Sequence, residues 1–238
     1  MTTLRLILGD QLNAAHSWFR SPHPDVLHVM MEVRSETDHV RHHAQKVLAL
    51  FAAMRAFACA LEAAGHRVRY LRIGDADNHQ TFAANLARVA AECGATRFER
   101  MEADEWRVEQ ALGQAAAALH LPQAVVGSEH FLADRAELSQ RLATKVPRME
   151  FFYRDMRRRH RILLDAEDGP VGGVWNFDAQ NREKWPGDPP APEWPWVGHD
   201  LRALWDEITA AGVQTIGAPH PERVRWPDRK STRLHSSH

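Results

Sequence analysis

Polar and acidic side chains follow several short apolar runs in the first half of the sequence. The groups are Gly9-Asp10-Gln11, Arg34-Ser35-Glu36, Gly74-Asp75 and Glu102. Carboxylates and amides accept hydrogen bonds from hydroxyl and N–H groups, so they suit a site for a polar small molecule. The same residue types also cap helices and form turns, so the pattern alone leaves both interpretations open.

The histidines offer one candidate metal site. His39 and His43 stand four residues apart in a helical pattern, which is the spacing of two ligands on one helix face. The sequence holds 15 histidines and no HExxH motif, so a chance pair is also an open interpretation. Cys59 and Cys93 fall inside helical patterns and are interpreted as small core residues. Two cysteines exclude a disulfide framework and a four-cysteine zinc or iron–sulfur centre within this chain, and they favour a reducing cytoplasm.

Arginines are concentrated in one predicted helix, which runs from Glu150 to Leu164. Its five arginines are Arg154, Arg157, Arg158, Arg159 and Arg161. They could contact phosphate groups, or they could form a solvated helix face. The whole chain has 30 Lys and Arg against 31 Asp and Glu, and this balance does not indicate a nucleic-acid binder. The sequence also lacks the GxGxxG and GxxxxGKS/T phosphate-binding motifs and any local signature of covalent catalysis.

Alternating apolar runs and helical patterns organise residues 1–145. Strands are predicted at residues 4–8, 26–33, 67–73, 96–101 and 123–126. Helices are predicted between them, from Asp38 to Gly65, from Thr81 to Cys93 and over residues 105–119. Strand–helix–strand repetition predicts an α/β fold, a five-stranded parallel doubly wound sheet with helices on both faces. Ligands of such sheets bind beyond the carboxyl ends of the strands, which is where the polar groups lie.

The composition changes after residue 145. Residues 165–200 hold six of the 13 prolines and four of the eight tryptophans, so this irregular segment is expected to pack on something. A short helix is predicted from Leu201 to Gly212. We expect an α/β domain at 1–145, a helix and linker at 146–227 and a tail at 228–238. No run of 18 apolar residues and no secretory signal is present, so no membrane association is expected.

Three stretches carry a resemblance to a known family. They are LILGDQL at 6–12, FYRDMRR at 152–158 and PVGGVWNFDAQNR at 170–182. They resemble the deoxyribodipyrimidine photolyase-related proteins, the iron–sulfur bacterial branch of the photolyase/cryptochrome family. Residues 102–107 and His42-His43 add to the match, which runs from about Leu4 to Pro227. The ending from Arg229 to His238 resembles translated adapter sequence, so we expect a truncated gene product.

The resemblance implies a protein of two domains. The N-terminal domain would be Rossmann-like and hold a 6,7-dimethyl-8-ribityllumazine antenna. A C-terminal helical domain, which we expect to be missing here, would bind FAD and a 4Fe–4S cluster. The parent protein would be a cytoplasmic, monomeric photolyase, a lyase that repairs UV-damaged DNA, of the (6-4) type. This chain would harvest light without repairing DNA alone. A signalling cryptochrome and a plain small-molecule-binding α/β domain are the alternatives.

The resemblance also implies site residues, none of them catalytic in this chain. The antenna pocket would use Gly9, Asp10, Gln11, Met31, Val33, Glu36, Leu50, Met54 and Glu102. The WNFDAQNR segment would be an interdomain loop near the lesion, with Trp175, Asn176, Asp178 and Arg182. Asp178 would contact a divalent cation, and Trp175 and Trp185 would pack against the further domain.

Overall fold

The computed structural model describes residues 1–143, 148–178, 182, 184, 186–188, 190 and 198–224. The chain forms two compact units, which are residues 1–130 with 194–238, and residues 131–193. The helices are α1 (Arg34–Thr37), α2 (Ala44–Ala63), α3 (Phe82–Glu92), α4 (Trp106–Ala118), α5 (Arg135–Leu142), α6 (Met149–His160) and α7 (Arg202–Ala210). Helices α5 and α6 lie in the second unit.

A five-stranded parallel sheet forms the centre of the first unit. Its strands are β1 (Thr2–Leu6), β2 (Val26–Met31), β3 (Arg67–Leu71), β4 (Ala95–Met101) and β5 (Gln123–Val126). They lie in the order β3-β2-β1-β4-β5, and every neighbouring pair is parallel. The predicted α/β fold with a five-stranded parallel sheet is therefore confirmed.

Successive side chains along each strand point to opposite faces of the sheet, and a separate hydrophobic core lies on each face. Leu4 and Leu6 pack with residues of α3 and α4 on one face of the sheet. Ile7 and Met30 pack with residues of α2 and α7 on the other face. Because both faces are covered, the strand ends are the part of the sheet that is open to a ligand.

The long helix predicted from Asp38 is wrong in its first part. The structure has the single-turn α1, then residues 38–43 outside any helix, and α2 begins only at Ala44. The imidazole of His43 accepts a hydrogen bond from the backbone N–H of Gln45 and so caps α2. A capping residue lies outside the regular helix, so His39 and His43 do not share a helix face.

Helix α2 has the length and apolar composition of a membrane-spanning helix, as no other helix among the described residues does. Seven of its 20 residues are buried in the first unit, among them Val47, Leu48 and Phe51. A core helix of a soluble protein passes the same test of length and composition. The feature therefore carries no conclusion about a membrane.

Hydrogen bonds of the buried Glu32 and of Arg55 connect α2 and α7 to the ends of β2 and β3. Glu32, which is 0% exposed, accepts two hydrogen bonds from Arg55 (2.7 and 3.0 Å), one from the Tyr70 hydroxyl (2.7 Å) and one from the Ile73 N–H (2.8 Å). Arg55 also binds Glu207 of α7 at 2.6 Å. Burial disfavours the charge of Arg55, but the hydrogen bonds to both carboxylates raise its pKa above the ordinary value. Both carboxylate oxygens of Glu32 therefore accept two hydrogen bonds each, which offsets the cost of burying the charge.

In the second unit, α6 ends four residues before the predicted boundary at Leu164. Arg161 adopts a left-handed backbone conformation (φ 51°), and the side chain of Arg157 binds the carbonyl oxygens of Ile162 and Leu163. These side-chain bonds satisfy backbone groups beyond the helix end. The sequence pattern did not predict α5, which buries none of its residues.

Trp175 has contacts within this chain, and its packing against a further domain stays a prediction. It is half-buried, and its indole ring lies beside arginine side chains of α6 within the second unit. Cation–π contacts of this kind are attractive because the face of an aromatic ring is negative. Trp175 thus has a partner in this chain. Trp185, Trp194 and Trp196 lie outside the described residues.

Candidate functional site

The strand order predicts a crevice at the carboxyl ends of β1 and β4. The chain runs from the central β1 outward to β2 and β3, and then crosses to the other side for β4 and β5. Crossovers that leave neighbouring strands in opposite directions open a crevice between them, which is the usual ligand site of such sheets. Gly9-Asp10-Gln11 and Glu102 follow these two strands.

Gln11 holds the two sides of this crevice together. Its side chain is 1% exposed, and its Oε1 accepts a hydrogen bond from the Leu8 N–H at 3.0 Å. Its Nε2 donates to the backbone carbonyl of Glu102, also at 3.0 Å. The structure thus gives Gln11 a positioning role, and it brings Glu102 into the site through its backbone.

An apolar wall stands beside Gly9. A Cβ atom on Gly9 would lie 2.9 Å from the Met54 Sδ and 3.4 Å from the Leu50 Cδ1, so a larger residue would collide with α2. Met54 is buried, whereas Leu50 is 37% exposed. Three of the predicted pocket residues are therefore neighbours, and one of them presents apolar surface to solvent.

Carboxylates gather on the polar side of the same crevice. Asp10 is exposed, yet partial desolvation raises the pKa of its carboxyl group above 3.8. The negative charges of Asp104 and Glu36 raise it further, while a backbone hydrogen bond and His130 lower it. The carboxyl groups of Glu36 and Asp104 are thus close enough to interact electrostatically with that of Asp10.

Arg107 is the residue of this site that sequence reasoning missed. Its two terminal nitrogens bind both carboxylate oxygens of Glu36 at 3.0 and 2.8 Å, and its Nε binds Glu105 at 2.7 Å. The hydrogen bonds to Glu36 raise the pKa of Arg107 above its ordinary value. The backbone carbonyl of Glu36 is also within hydrogen-bonding distance of His39 and His42. The only sequence signal was the position of Arg107 at the end of the matching stretch 102–107.

Met31 and Val33 lie elsewhere. Both side chains are buried in the core on the α3 and α4 face, opposite to the face that carries Leu50 and Met54. The Met31 sulfur accepts a weak hydrogen bond from Asn85 of α3 at 3.6 Å. The sheet therefore separates these two side chains from Leu50 and Met54.

The second group of predicted site residues lies in the second unit. Asn176, Asp178 and Arg182 are exposed, and the Asn176 side chain accepts a hydrogen bond from the Asp178 N–H at 2.7 Å. Within the described ranges, no group of three or more His, Cys, Asp or Glu side chains could hold a metal ion. The cation contact of Asp178 stays a prediction.

An open depression of about 540 Å³ lies beside the carboxyl ends of β2 and β3. Its lining includes Arg34, Gly74 and Asp75, which belong to the polar strand-end groups, but none of the residues that the resemblance implies for the antenna pocket. Arg34 is paired with Asp38 and Glu207 with Arg55, so these charges are already engaged. The residues that line this depression therefore differ from those around Gly9.

We expect that Asp10→Asn stabilises the fold at neutral pH. The raised pKa means that the folded state favours the protonated carboxyl group. The resulting cost is absent well below pH 3.8 and complete above the raised pKa, so stability falls as the pH rises through this interval. After allowance for solvent screening, the gain at pH 7 should be about 1 kcal/mol or less. Urea denaturation at pH 7 and pH 3 measures it, with the exposed Asp25→Asn as the control. An Asp10→Asn protein that is less stable at pH 7 would contradict the expectation.

Comparison with known proteins gives two findings. The family model of the deoxyribodipyrimidine photo-lyase-related proteins matches residues 5–224. A "(6-4) photolyase" of Agrobacterium fabrum (strain C58 / ATCC 33970) is 36% identical over 225 residues. The match covers 93% of this chain but 43% of the relative, so the chain spans less than half of the relative's length.

Proposed function

The chain belongs to the deoxyribodipyrimidine photolyase-related family, and from this premise we propose that it is the antenna-binding part of a light-dependent DNA repair photolyase of the (6-4) type. The observation that carries the antenna role is the partly exposed Leu50, which packs beside Gly9 and Met54 at the strand end that also carries the interacting carboxyl groups of Asp10 and Glu36. An apolar wall opposite hydrogen-bond acceptors suits a ligand with a flat ring and a polyhydroxyl chain, such as 6,7-dimethyl-8-ribityllumazine.

Each residue of the crevice would have a separate task. Leu50 would contact the ring, and Met54 and Gly9 would hold Leu50 in place from behind. Asp10 and Glu36 would accept hydrogen bonds from hydroxyl or ring N–H groups, with Arg107 fixing the Glu36 carboxylate. Met31 and Val33 would support the site from the core without touching the ligand. When bound, the antenna would absorb light and pass the excitation to a flavin.

The iron–sulfur cluster implied by the resemblance does not fit the residues of this chain. Such a cluster needs four thiolates, and the chain has two cysteines. Cys59 lies on α2 and Cys93 follows α3, and these helices cover opposite faces of the sheet. We therefore propose that the cluster, the FAD and the contact with UV-damaged DNA that completes repair belong to further parts of the whole protein.

A titration with lumazine tests the proposed antenna role. The 238-residue chain is added to 6,7-dimethyl-8-ribityllumazine, and the fluorescence anisotropy of the ligand is followed. We expect saturable one-to-one binding, and riboflavin, whose ring system is longer, should bind more weakly. Unchanged anisotropy at saturating protein concentration would contradict the antenna role.

A further inference from the structure

A lysine lies one helical turn before Leu50 on α2. Lys46 and Leu50 stand at i and i+4, so their side chains share one face of the helix. Leu50 is the partly exposed residue that packs beside Gly9, and Lys46 is exposed as well. The two residues are about 6 Å apart along the helix axis. A ligand that contacts Leu50 therefore has an ammonium group within one helical turn.

Two imidazole rings stand beside this ammonium group. The Lys46 Nζ lies 3.3 Å from the His42 Nδ1, and the centroids of the His39 and His42 rings are 5.0 Å apart. The His39 Nδ1 and the His42 Nε2 lie 2.9 and 3.1 Å from the same backbone carbonyl, that of Glu36. Because a carbonyl oxygen can only accept, both ring nitrogens donate to it. The Glu36 carbonyl thus holds Lys46, His42 and His39 together, and we call these three residues the Lys46 cluster.

Hydrogen-bond donors of the Lys46 cluster point to an acceptor that the chain does not supply. Since the His42 Nε2 donates to Glu36, its Nδ1 accepts from Lys46, and the ring is neutral. Burial lowers the pKa of His42, and the charge of Lys46 lowers it further, which agrees with a neutral ring. Lys46 has three N–H donors and uses one of them on His42. Two donors of Lys46 therefore remain for a ligand.

The charge of Lys46 is not used in an ion pair. Among the described residues, no carboxylate forms an ion pair with Lys46, because Glu36 and Glu105 both bind Arg107 instead, at 2.8 and 2.7 Å. The hydrogen bond from Arg107 is the main reason why the pKa of Glu105 is lowered, and the charges of His39 and Lys46 add to it. Both carboxylates are thus engaged by one guanidinium group, while Lys46 can bind an anion.

We propose that the Lys46 cluster binds a terminal phosphate group of the ligand whose ring contacts Leu50, so that the site takes a ribityl phosphate. A phosphate monoester brings a charge between −1.5 and −2 and three strong acceptor oxygens at about pH 7. Lys46 donates two hydrogen bonds to it, and a protonated His39 donates one through Nε2. The placement of the ring rests on the proposed antenna role, whereas the phosphate subsite rests on the contacts of the Lys46 cluster alone.

Paired titrations of the full chain with 6,7-dimethyl-8-ribityllumazine and the phosphate ester of its terminal ribityl hydroxyl test the proposal. The ester should bind about tenfold more tightly at low ionic strength, because its hydrogen bonds are charge-assisted, and added salt should reduce this advantage. Lys46→Gln should remove most of the advantage and change the binding of unphosphorylated lumazine less than about twofold. Equal affinity of the wild type for both ligands, or an advantage that survives Lys46→Gln, would overturn the proposal.

Arg20→Gln is the matched control for the loss of one exposed positive charge. Arg20 is exposed, and its neighbour Phe19 packs on Phe57, about three turns along α2 from Lys46. The control should keep the full preference for the phosphate ester. A loss of preference in Arg20→Gln as large as in Lys46→Gln would show that only the net charge of the chain matters, and it would overturn the subsite.

Inorganic phosphate separates the phosphate subsite from the antenna role. The imidazole signals of the ¹⁵N-labelled chain are followed by NMR without any ring ligand. Phosphate should shift the signals of His39 and His42 in a saturable way, whereas chloride at the same ionic strength should not, and Lys46→Gln should weaken the response. Phosphate shifts without lumazine binding would contradict the antenna role alone. Lumazine binding without phosphate shifts would overturn the phosphate subsite alone.

Discussion

Replacing Leu50 by tryptophan should weaken lumazine binding more than about a hundredfold, which corresponds to a loss of roughly 3 kcal/mol. Leu50 is the partly open member of the apolar wall, and its Cδ1 lies 3.4 Å from the position of a Cβ on Gly9. An indole at this position would occupy the space that the ring of the ligand needs. Anisotropy titration of the variant against the wild type measures the loss.

Ala56→Trp is the matched control for this substitution. Ala56 is exposed on the same helix, six residues further on and therefore turned well away from Leu50. It should keep the affinity of the wild type, and both variants should unfold at similar temperatures. Saturable binding of lumazine by Leu50→Trp would show that the ligand lies elsewhere.

Replacing Glu32 by alanine should lower the free energy of unfolding by about 3–5 kcal/mol. The substitution leaves the guanidinium group of Arg55 without its buried partner. It also leaves the Tyr70 hydroxyl and the Ile73 N–H without their acceptor. Buried polar groups that lose their partners keep the full cost of desolvation. Urea denaturation at pH 7 measures the difference from the wild type.

Glu207→Ala is the informative comparison because Glu207 binds the same Arg55. Its side chain is partly exposed, so water can replace it, and the loss should be about 1 kcal/mol or less. If Glu32→Ala loses no more stability than Glu207→Ala, the buried hydrogen bonds of Glu32 do not stabilise the fold as described.

Local patterns were sufficient to predict the sheet. Apolar runs such as Leu4–Leu8 and Val26–Val33, separated by helical patterns, define parallel strands and their order along the chain. The predicted strands also gave the positions of the strand ends, and so placed Gly9 and Asp10 at the carboxyl end of β1. The length of α2 did not follow, because periodicity shows no break at residues 38–43 and the imidazole cap of His43 is not a usual helix signal.

Contacts between distant residues were beyond the reach of the sequence. Arg107 is 71 positions from Glu36, and Arg55 is 152 positions from Glu207. Nothing in either local sequence indicates its partner. The face of the sheet to which Met31 and Val33 point depends on strand register, because a shift of one residue moves every side chain of a strand to the opposite face. Only the three-dimensional packing places them away from Leu50.

The central claim is that the Gly9 crevice holds the antenna, and the most direct test is a crystal structure of the 238-residue chain grown with 6,7-dimethyl-8-ribityllumazine. We expect ligand density beside Leu50 and Met54, with the ribityl chain within hydrogen-bonding distance of Asp10 or Glu36. Density in the depression lined by Arg34, Gln80 and Glu207, or a lumazine-free crevice in crystals of a chain that binds lumazine in solution, would contradict the account.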